Sequence, residues 1–342
     1  MSYQIVNGKI YNPNACEVNV VYHCNLSCRG CSHLSPTFTN YFVEPTQVFN
    51  DLSILAKYYR SKYIKIMGGE PLLHPNLIEI IDAVRKTGIS ERIQVVSNGH
   101  LLAKITDVFW EKIDEIYISV YPEKKVDLKH LEEIKQKARL HNVALEYYYF
   151  DNFRESYSEL GTNDTELVQR IYTTCKIAHT WHSHTIAEGY FYKCPQSLFL
   201  PKVINNDILK SDTNKIKIVD STKFGQDLLA YLNATQALKS CYHCLGSVGK
   251  LFAHEQVPRS QWRSLQQYST EELIDREYLG VSELNPNAHN SSFRSPSSIN
   301  KIIARTQRVH RSFAKRLTRK LQLISRCGSQ TFNNIFLLLK LK

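Results

Sequence analysis

The first 150 residues predict an α/β fold whose parallel sheet curves into a partial barrel. Strand-like and helix-like stretches alternate there in βα units. Three chemically distinctive motifs also fall at or just after strand ends, all on one rim, which is where parallel sheets and barrels bind ligands. After Asp151 the alternation stops and a second set of cysteines begins, so a smaller C-terminal domain is expected beyond the barrel.

The strand candidates are residues 17–23, 63–67, 92–97, 115–121 and 143–150. Helical candidates lie between them at 44–60, 76–86, 103–111 and 127–141. In the last of these Leu128, Leu131, Ile134 and Ala138 recur at helical spacing, so one face can pack on the sheet. Further on, a helix near 165–172 precedes Cys175, and residues 183–193 read as a hairpin turning at Glu188-Gly189. The expected domains are 1–160 for the barrel, extending at most to about 174, then 161–285 for the cysteine-bearing domain and 286–342 for a linker and tail.

The chain has 342 residues, 43% hydrophobic and 22% charged, which is the balance of a globular protein with ample core. Its first ten residues have neither a basic start nor an apolar run, so no signal peptide is expected, and no apolar stretch is long enough to span a bilayer. Nine clustered cysteines point to metal ligation in a reducing compartment, the cytoplasm, rather than to disulfides. The net charge of +11 belongs to the tail, because residues 291–342 carry twelve Lys and Arg with no Asp or Glu. The body needs no polyanionic partner.

The most informative run is Cys24-Asn25-Leu26-Ser27-Cys28-Arg29-Gly30-Cys31, directly after the first strand candidate. Zinc loops and ferredoxin motifs usually supply four protein ligands. Three thiolates on a cubane cluster would leave one iron open to a ligand that is not protein; a zinc loop or a set of buried thiols is the competing reading. Gly68-Gly69-Glu70-Pro71 ends the second strand and Val95-Val96-Ser97-Asn98-Gly99 the third.

Together these residues resemble the radical S-adenosylmethionine (SAM) superfamily, from about residue 18 to 150. The resemblance implies a partial (β/α)6 TIM-like barrel with a [4Fe–4S] cluster on Cys24, Cys28 and Cys31 and with SAM chelating the open iron. It implies that Gly68, Gly69, Glu70 and Pro71 bind the SAM amino group, glycine allowing close approach of bare backbone, and that Ser97 and Asn98 face its ribose. In that family the reduced cluster cleaves SAM to methionine and a 5′-deoxyadenosyl radical, which takes a hydrogen atom from substrate; the cofactors carry the hard chemistry. Many members carry an aromatic residue just before the third cysteine, where this chain has Gly30.

Cys175, Gly189, Cys194, Cys241 and Cys244 are spaced like the auxiliary-cluster extension of certain radical SAM enzymes (twitch/SPASM-like), in its shorter twitch form, since no further cysteine precedes Cys327. That likeness implies a second, fully ligated [4Fe–4S] cluster on Cys175, Cys194, Cys241 and Cys244, suited to electron transfer; tetrahedral zinc is the alternative. Cys16 is expected to be a buried thiol and Cys327 a tail cysteine.

Other residues carry weaker signals. His23 and His33 are expected to hydrogen-bond near the first cysteine run, and His179, His182 and His184 to be solvent or supporting histidines that point different ways. Ser119 with Tyr121, and Glu146 with Tyr148, share faces by period two and either hold substrate or fill the core. No catalytic acid or base is assigned. The tail places Ile302, Val309, Phe313, Leu317, Leu321 and Ile324 at helical spacing among Arg and Lys, which suits an anionic membrane surface or a solvated extension better than docking to an acidic partner, and nucleic acid least.

The function expected from the resemblance is an oxidoreductase-type radical SAM enzyme. It would act on a sugar-, cyclitol- or nucleotide-like small molecule and draw electrons from a donor such as flavodoxin or ferredoxin. The alternatives are a peptide or protein maturase and a non-catalytic iron–sulfur electron carrier.

Overall fold

Strand β2 (Lys9–Val21) is the axis on which the sheet is assembled. It pairs in parallel with β3 (Tyr59–Gly68), which pairs in turn with β4 (Arg92–Ser97), β5 (Glu115–Val120) and β6 (Ala144–Tyr149). The computed structural model describes residues 2–285. The short β1 (Ile5–Val6) folds back antiparallel on the start of β2. Pro13 falls within a break in the β2–β3 ladder between Asn12 and Ala15, a place where its missing N–H costs no ladder bond.

The helices α1 (Pro45–Leu55), α2 (Leu77–Thr87), α3 (Asp107–Lys112) and α4 (Leu128–Leu140) connect successive parallel strands. In α2 the buried positions Leu77, Ile80, Ile81 and Val84 form one stripe, and Gly88 ends the helix at φ 62°, where a side chain would be strained. The α4 stripe is narrower than its spacing predicts: Ile134 and Ala138 are buried, but Leu128, in the first turn, is 80% exposed. The helix expected at 103–111 is a short 3-10 turn followed by α3, and the one expected at 44–60 ends at Leu55 because β3 begins at Tyr59.

The strands alternate in a way that divides the domain. Ile64, Ile66, Ile93, Val95, Ile116 and Ile118 are wholly or almost wholly buried against the helices. The opposite face carries a polar row: Thr185, Glu17, Lys65, Gln94 and Glu115 stand in register across five strands. A parallel sheet covered on both faces would have apolar residues at both parities; this one keeps polar groups on one face.

Beyond β6, β7 (Asn152–Arg154) pairs with β11 (Leu251–Ala253) in a separate two-stranded ribbon. The helix α5 (Thr165–Thr174) and the short α6 (Lys176–His179) lead to β8 (His184–Ala187), which joins the main sheet parallel to β2. The hairpin to β9 (Tyr190–Tyr192) turns at Glu188 and Gly189, with φ 54° and 79°, as the sequence predicts. Strand β10 (Lys215–Lys217) closes that edge, and α7 (Pro195–Val203) and α8 (Phe224–Asn233) cover it.

One expectation is corrected here. The sheet order is β10-β9-β8-β2-β3-β4-β5-β6, so the sixth parallel strand stands beside β2 rather than following β6 in a sequential (β/α)6 array. Strands β8, β9 and β10, from beyond the 160/161 boundary, extend the same sheet. The linker, amphipathic tail and Cys327 lie outside the described residues.

Candidate functional site

The C-terminal ends of β2, β3, β4 and β5 open into one cavity of about 220 Å3. Its lining includes Cys24, Cys28 and Cys31 from the loop after β2, Gly68, Gly69 and Glu70 after β3, Ser97 and Asn98 at the end of β4, and Ser119 and Tyr121 at β5. The three motifs of the sequence therefore meet. Met67, Val96, His33 and Ser35 also line it.

The cysteine thiols are set among donors. Leu26 N–H donates to Cys24 Sγ at 3.4 Å and Asn98 Nδ2 approaches it at 3.8 Å, while Gln256 Nε2 donates to Cys28 Sγ at 2.9 Å. Burial pushes the Cys24 thiol up to about 12, with the Glu70 carboxyl and Cys31 adding to it. Cys28 is pushed up as well, by burial and then by Cys31 and Cys24. Thiols that raise one another in this way are stable as thiolates only when a cation supplies the missing charge, which is the condition of a metal-cluster ligand.

Gly68 and Gly69 are required, though not first by a ligand. A Cβ on Gly68, whose φ is 148°, would stand 1.9 Å from Val21 O, and one on Gly69 would stand 1.8 Å from His23 O. Gly69 N–H donates to Val21 O at 2.7 Å and Glu70 N–H to His23 O at 3.1 Å. The glycines let the end of β3 press against the chain that leads into Cys24. They place the cysteine loop.

Glu70 is 1% exposed. Its Oε1 accepts from Leu72 N–H at 3.1 Å and Ser97 Oγ at 2.8 Å, and its Oε2 accepts from Asn98 N–H at 2.9 Å. The carboxylate therefore ties the β3 end to the β4 end and holds Ser97 and Asn98 in place, a role its strand-end position in the sequence did not reveal. Burial pushes it up to about 7 against those three donors. Because this folded value lies above the ordinary carboxylate value, folding takes up a proton between the two, and the Glu70 contribution to stability is lost as pH rises through 7. Buried histidines such as His179 and His184, whose values are lowered, act in the opposite sense in wild type and variant alike. In the metal-free chain the urea midpoint of Glu70→Gln relative to wild type is therefore expected to rise between pH 5 and pH 8; a constant difference across that range would remove Glu70 as a contributor.

Gly30 has φ 66°, and a Cβ there would meet Arg154 O and the Phe252 ring, each at 2.8 Å. An aromatic ring from β11 thus fills the space a side chain at residue 30 would take, with the Arg29 guanidinium 4.3 Å from its centroid. His33 Nε2 stands 3.7 Å from Glu17 Oε2, and its ring packs on Phe199 of α7. His23 packs edge-on against Phe42. Tyr121 stacks on His254 at 4.8 Å, while Tyr148 stacks on Tyr117 at 3.8 Å; neither Glu146 nor Tyr148 is among the cavity's lining residues.

The second cysteine set also converges. Cys175, Cys194, Cys241 and Cys244 line one small cavity of about 20 Å3 between α5, α6, α7 and the Cys241–Cys244 turn. Burial pushes Cys175 up to about 12, with Cys194 adding to it, while backbone N–H groups of Ile177, Ala178 and Ser247 act in the opposite sense. Cys244 is raised by burial and by the other three thiols, and Gly246 N–H donates to it at 3.3 Å. Lys193, 1% exposed, lines the same wall and donates from Nζ to Tyr172 Oη at 2.8 Å and Ala234 O at 3.1 Å. Among the described residues no three His, Cys, Asp or Glu side chains close to single-ion geometry, in either cavity or elsewhere.

The three histidines are supporting groups rather than ligands of that cavity. Tyr3 Oη bridges His182 Nδ1 at 2.9 Å and His184 Nε2 at 2.8 Å, and His179 packs edge-on against Tyr172. Cys16 is fully buried and directs Sγ to His184 O at 3.4 Å, as expected of a structural thiol.

Residues 18–142 match the model of the Radical SAM superfamily. The chain carries a radical SAM domain. It is 34% identical over 108 residues to a probable GTP 3′,8-cyclase of Metallosphaera sedula, covering 31% of this chain and 33% of that protein. It is 22% identical over 214 residues to a putative glycyl-radical enzyme activating enzyme of Methanocaldococcus jannaschii, covering 61% and 80%. The structure of BtrN in complex with AdoMet and 2-DOIA aligns at 14% identity over 58% of this chain and 84% of that one, with a TM-score of 0.36. The chain spans about a third of the length of the cyclase it matches. A radical SAM domain implies a [4Fe–4S] cluster and SAM, and the donor set fits them: three buried or half-buried thiols share a cavity with the glycine strand end. No helix among the described residues is long and apolar enough to cross a membrane.

Proposed function

We propose that this chain is a radical SAM enzyme that reductively cleaves SAM and oxidises or rearranges a sugar-, cyclitol- or nucleotide-like small molecule. A [4Fe–4S] cluster on Cys24, Cys28 and Cys31 would supply the electron and the open iron. The observation that carries the reading is the single cavity shared by those thiols, the Gly68–Gly69 strand end and the Ser97–Asn98 edge. Around it the chain's own groups orient and enclose. Glu70 fixes the β4 edge, Asn98 Nδ2 donates to Asn25 Oδ1 at 2.7 Å to hold the loop, and Tyr121 with Phe150 and Phe153 walls the cavity.

A small polar substrate is favoured by polar groups on the sheet beneath the cavity: both ends of the Asn19 amide and the Gln94 carbonyl are buried without a partner, and buried polar groups need one. The named relatives, a GTP cyclase and an activating enzyme, do not choose between a nucleotide and a protein substrate. The second cavity is read as holding an auxiliary [4Fe–4S] cluster, supported by four converging thiols met by backbone N–H donors.

The test is elemental and chemical together. Anaerobically reconstituted protein is expected to hold about eight iron and eight sulfide per chain, the content of two cubanes, and to form 5′-deoxyadenosine from SAM when reduced. Four iron with stoichiometric zinc would overturn the auxiliary cluster alone, and an absence of 5′-deoxyadenosine would overturn the enzyme.

A further inference from the structure

We propose that Gln256 is a positioning residue that sets the reduction potential of the cluster on Cys24, Cys28 and Cys31 through its hydrogen bond to Cys28; this rests on the reading of that site. Residues 255–262, which lie beyond Cys244 in the chain, return to the first cysteine loop as a strap. Cys28 and Gln256 form an antiparallel bridge, with Arg29 N–H donating to Glu255 O at 3.0 Å and Val257 N–H to Ser27 O at 3.0 Å. Trp262 Nε1 donates to Cys28 O at 2.9 Å.

The strap also fixes which way the Gln256 amide points. Ser27 N–H donates to Gln256 Oε1 at 2.7 Å, so the oxygen is committed to the loop backbone and the NH2 group is left facing Cys28 Sγ at 2.9 Å. His254 Nε2 lies 3.4 Å from the same nitrogen and Glu123 accepts from Gln256 N–H at 2.9 Å, so the residue is held at both ends. The neighbouring Arg29 is committed to Glu155 and Glu255.

An N–H donor to a cluster sulfur stabilises the more negative, reduced state more than the oxidised one, and hydrogen bonds to the sulfurs are among the factors that set cluster potential. Gln256 therefore raises the potential of a cluster that must accept an electron before SAM is cleaved. The donor comes from a segment that follows the second cysteine set, so chain far from the first cysteine loop in sequence trims the first cluster.

The experiment uses the full-length reconstituted protein, titrated potentiometrically with electron paramagnetic resonance detection. SAM is the probe that marks the first cluster, as the one whose signal it perturbs. Gln256→Met removes the donor without adding charge, and Gln256→Glu removes it while keeping an acceptor for Ser27 N–H. Both are expected to lower the potential of the SAM-responsive cluster at unchanged iron content, Gln256→Met by a roughly tenfold change in the reduced-to-oxidised ratio, about 59 mV for one electron, and Gln256→Glu by more. An unchanged potential at full iron content overturns the proposal. If Gln256→Met loses iron, Gln256→Leu, which also adds no charge, decides by the same readout, and loss of iron from both overturns tuning in favour of a structural clamp. Wild-type protein with no SAM-responsive cluster would instead overturn the underlying site, and the proposal with it.

Discussion

Replacing Cys24, Cys28 and Cys31 together by Ala is expected to abolish 5′-deoxyadenosine formation and to leave about four iron and four sulfide per chain, the content of one cubane. The argument is local. All three thiols line the same cavity, and no other cysteine among the described residues lines it, so none of those thiols stands ready to substitute. The fold is expected to survive, because the loop is anchored by backbone as well as by sulfur. Trp262 Nε1 holds Cys28 O at 2.9 Å, Val257 N–H holds Ser27 O at 3.0 Å, and Arg259 reaches Cys24 O. Far-ultraviolet circular dichroism should thus match wild type while the iron content halves. Residual cleavage of SAM by the triple variant would mean that the radical chemistry is not seated on these cysteines, and retention of eight iron would mean that the loop is not a cluster site.

The strands at 92–97 and 115–120 were legible because their residues alternate on a short period between breakers, and so was the hairpin at Glu188-Gly189, where two positive φ values call for residues that tolerate them. The three motifs on one rim were legible because a parallel sheet presents all its strand ends together. What was hidden depended on contacts distant in sequence. Nothing near His184 says that its strand adds beside β2 rather than after β6. Gln256 is one glutamine in a polar stretch until the bridge to Cys28 is seen, 228 residues away. Glu70 was legible as part of a motif, but its three acceptor contacts, two of them to Ser97 and Asn98, depend on how two strand ends meet. Gly30 stands where many relatives carry an aromatic residue, and the Phe252 ring, from another part of the chain, fills the space its Cβ would take without lining the cavity.

Gly69→Ala is expected to be among the most damaging single substitutions in the chain, and to act on the cluster through the backbone. The added Cβ would lie 1.8 Å from His23 O, 2.3 Å from His23 C and 2.9 Å from Cys24 N, all of them main-chain atoms. A flexible side chain could swing away from such a clash, but a strand leaving the sheet cannot, since Gly69 N–H and Glu70 N–H are bonded to Val21 O and His23 O. The end of β3 must separate from the segment that carries Cys24, breaking those two bonds and displacing the first thiol from the other two. The loss of stability should be about 4 kcal/mol or more, in the range reserved for a backbone clash inside a core. Gly8→Ala offers a matched control, because nothing lies within 4 Å of the site its Cβ would take, and its φ of 77° confines the cost to local strain, about 1 kcal/mol. Urea unfolding of the two variants measures the difference, and iron analysis reports its consequence: Gly69→Ala should lose the SAM-responsive cluster first, whereas Gly8→Ala should keep both. If Gly69→Ala retained wild-type stability and a SAM-responsive cluster, the two strand ends would not meet as described, and the placement of Cys24 relative to the glycine motif would have to be abandoned.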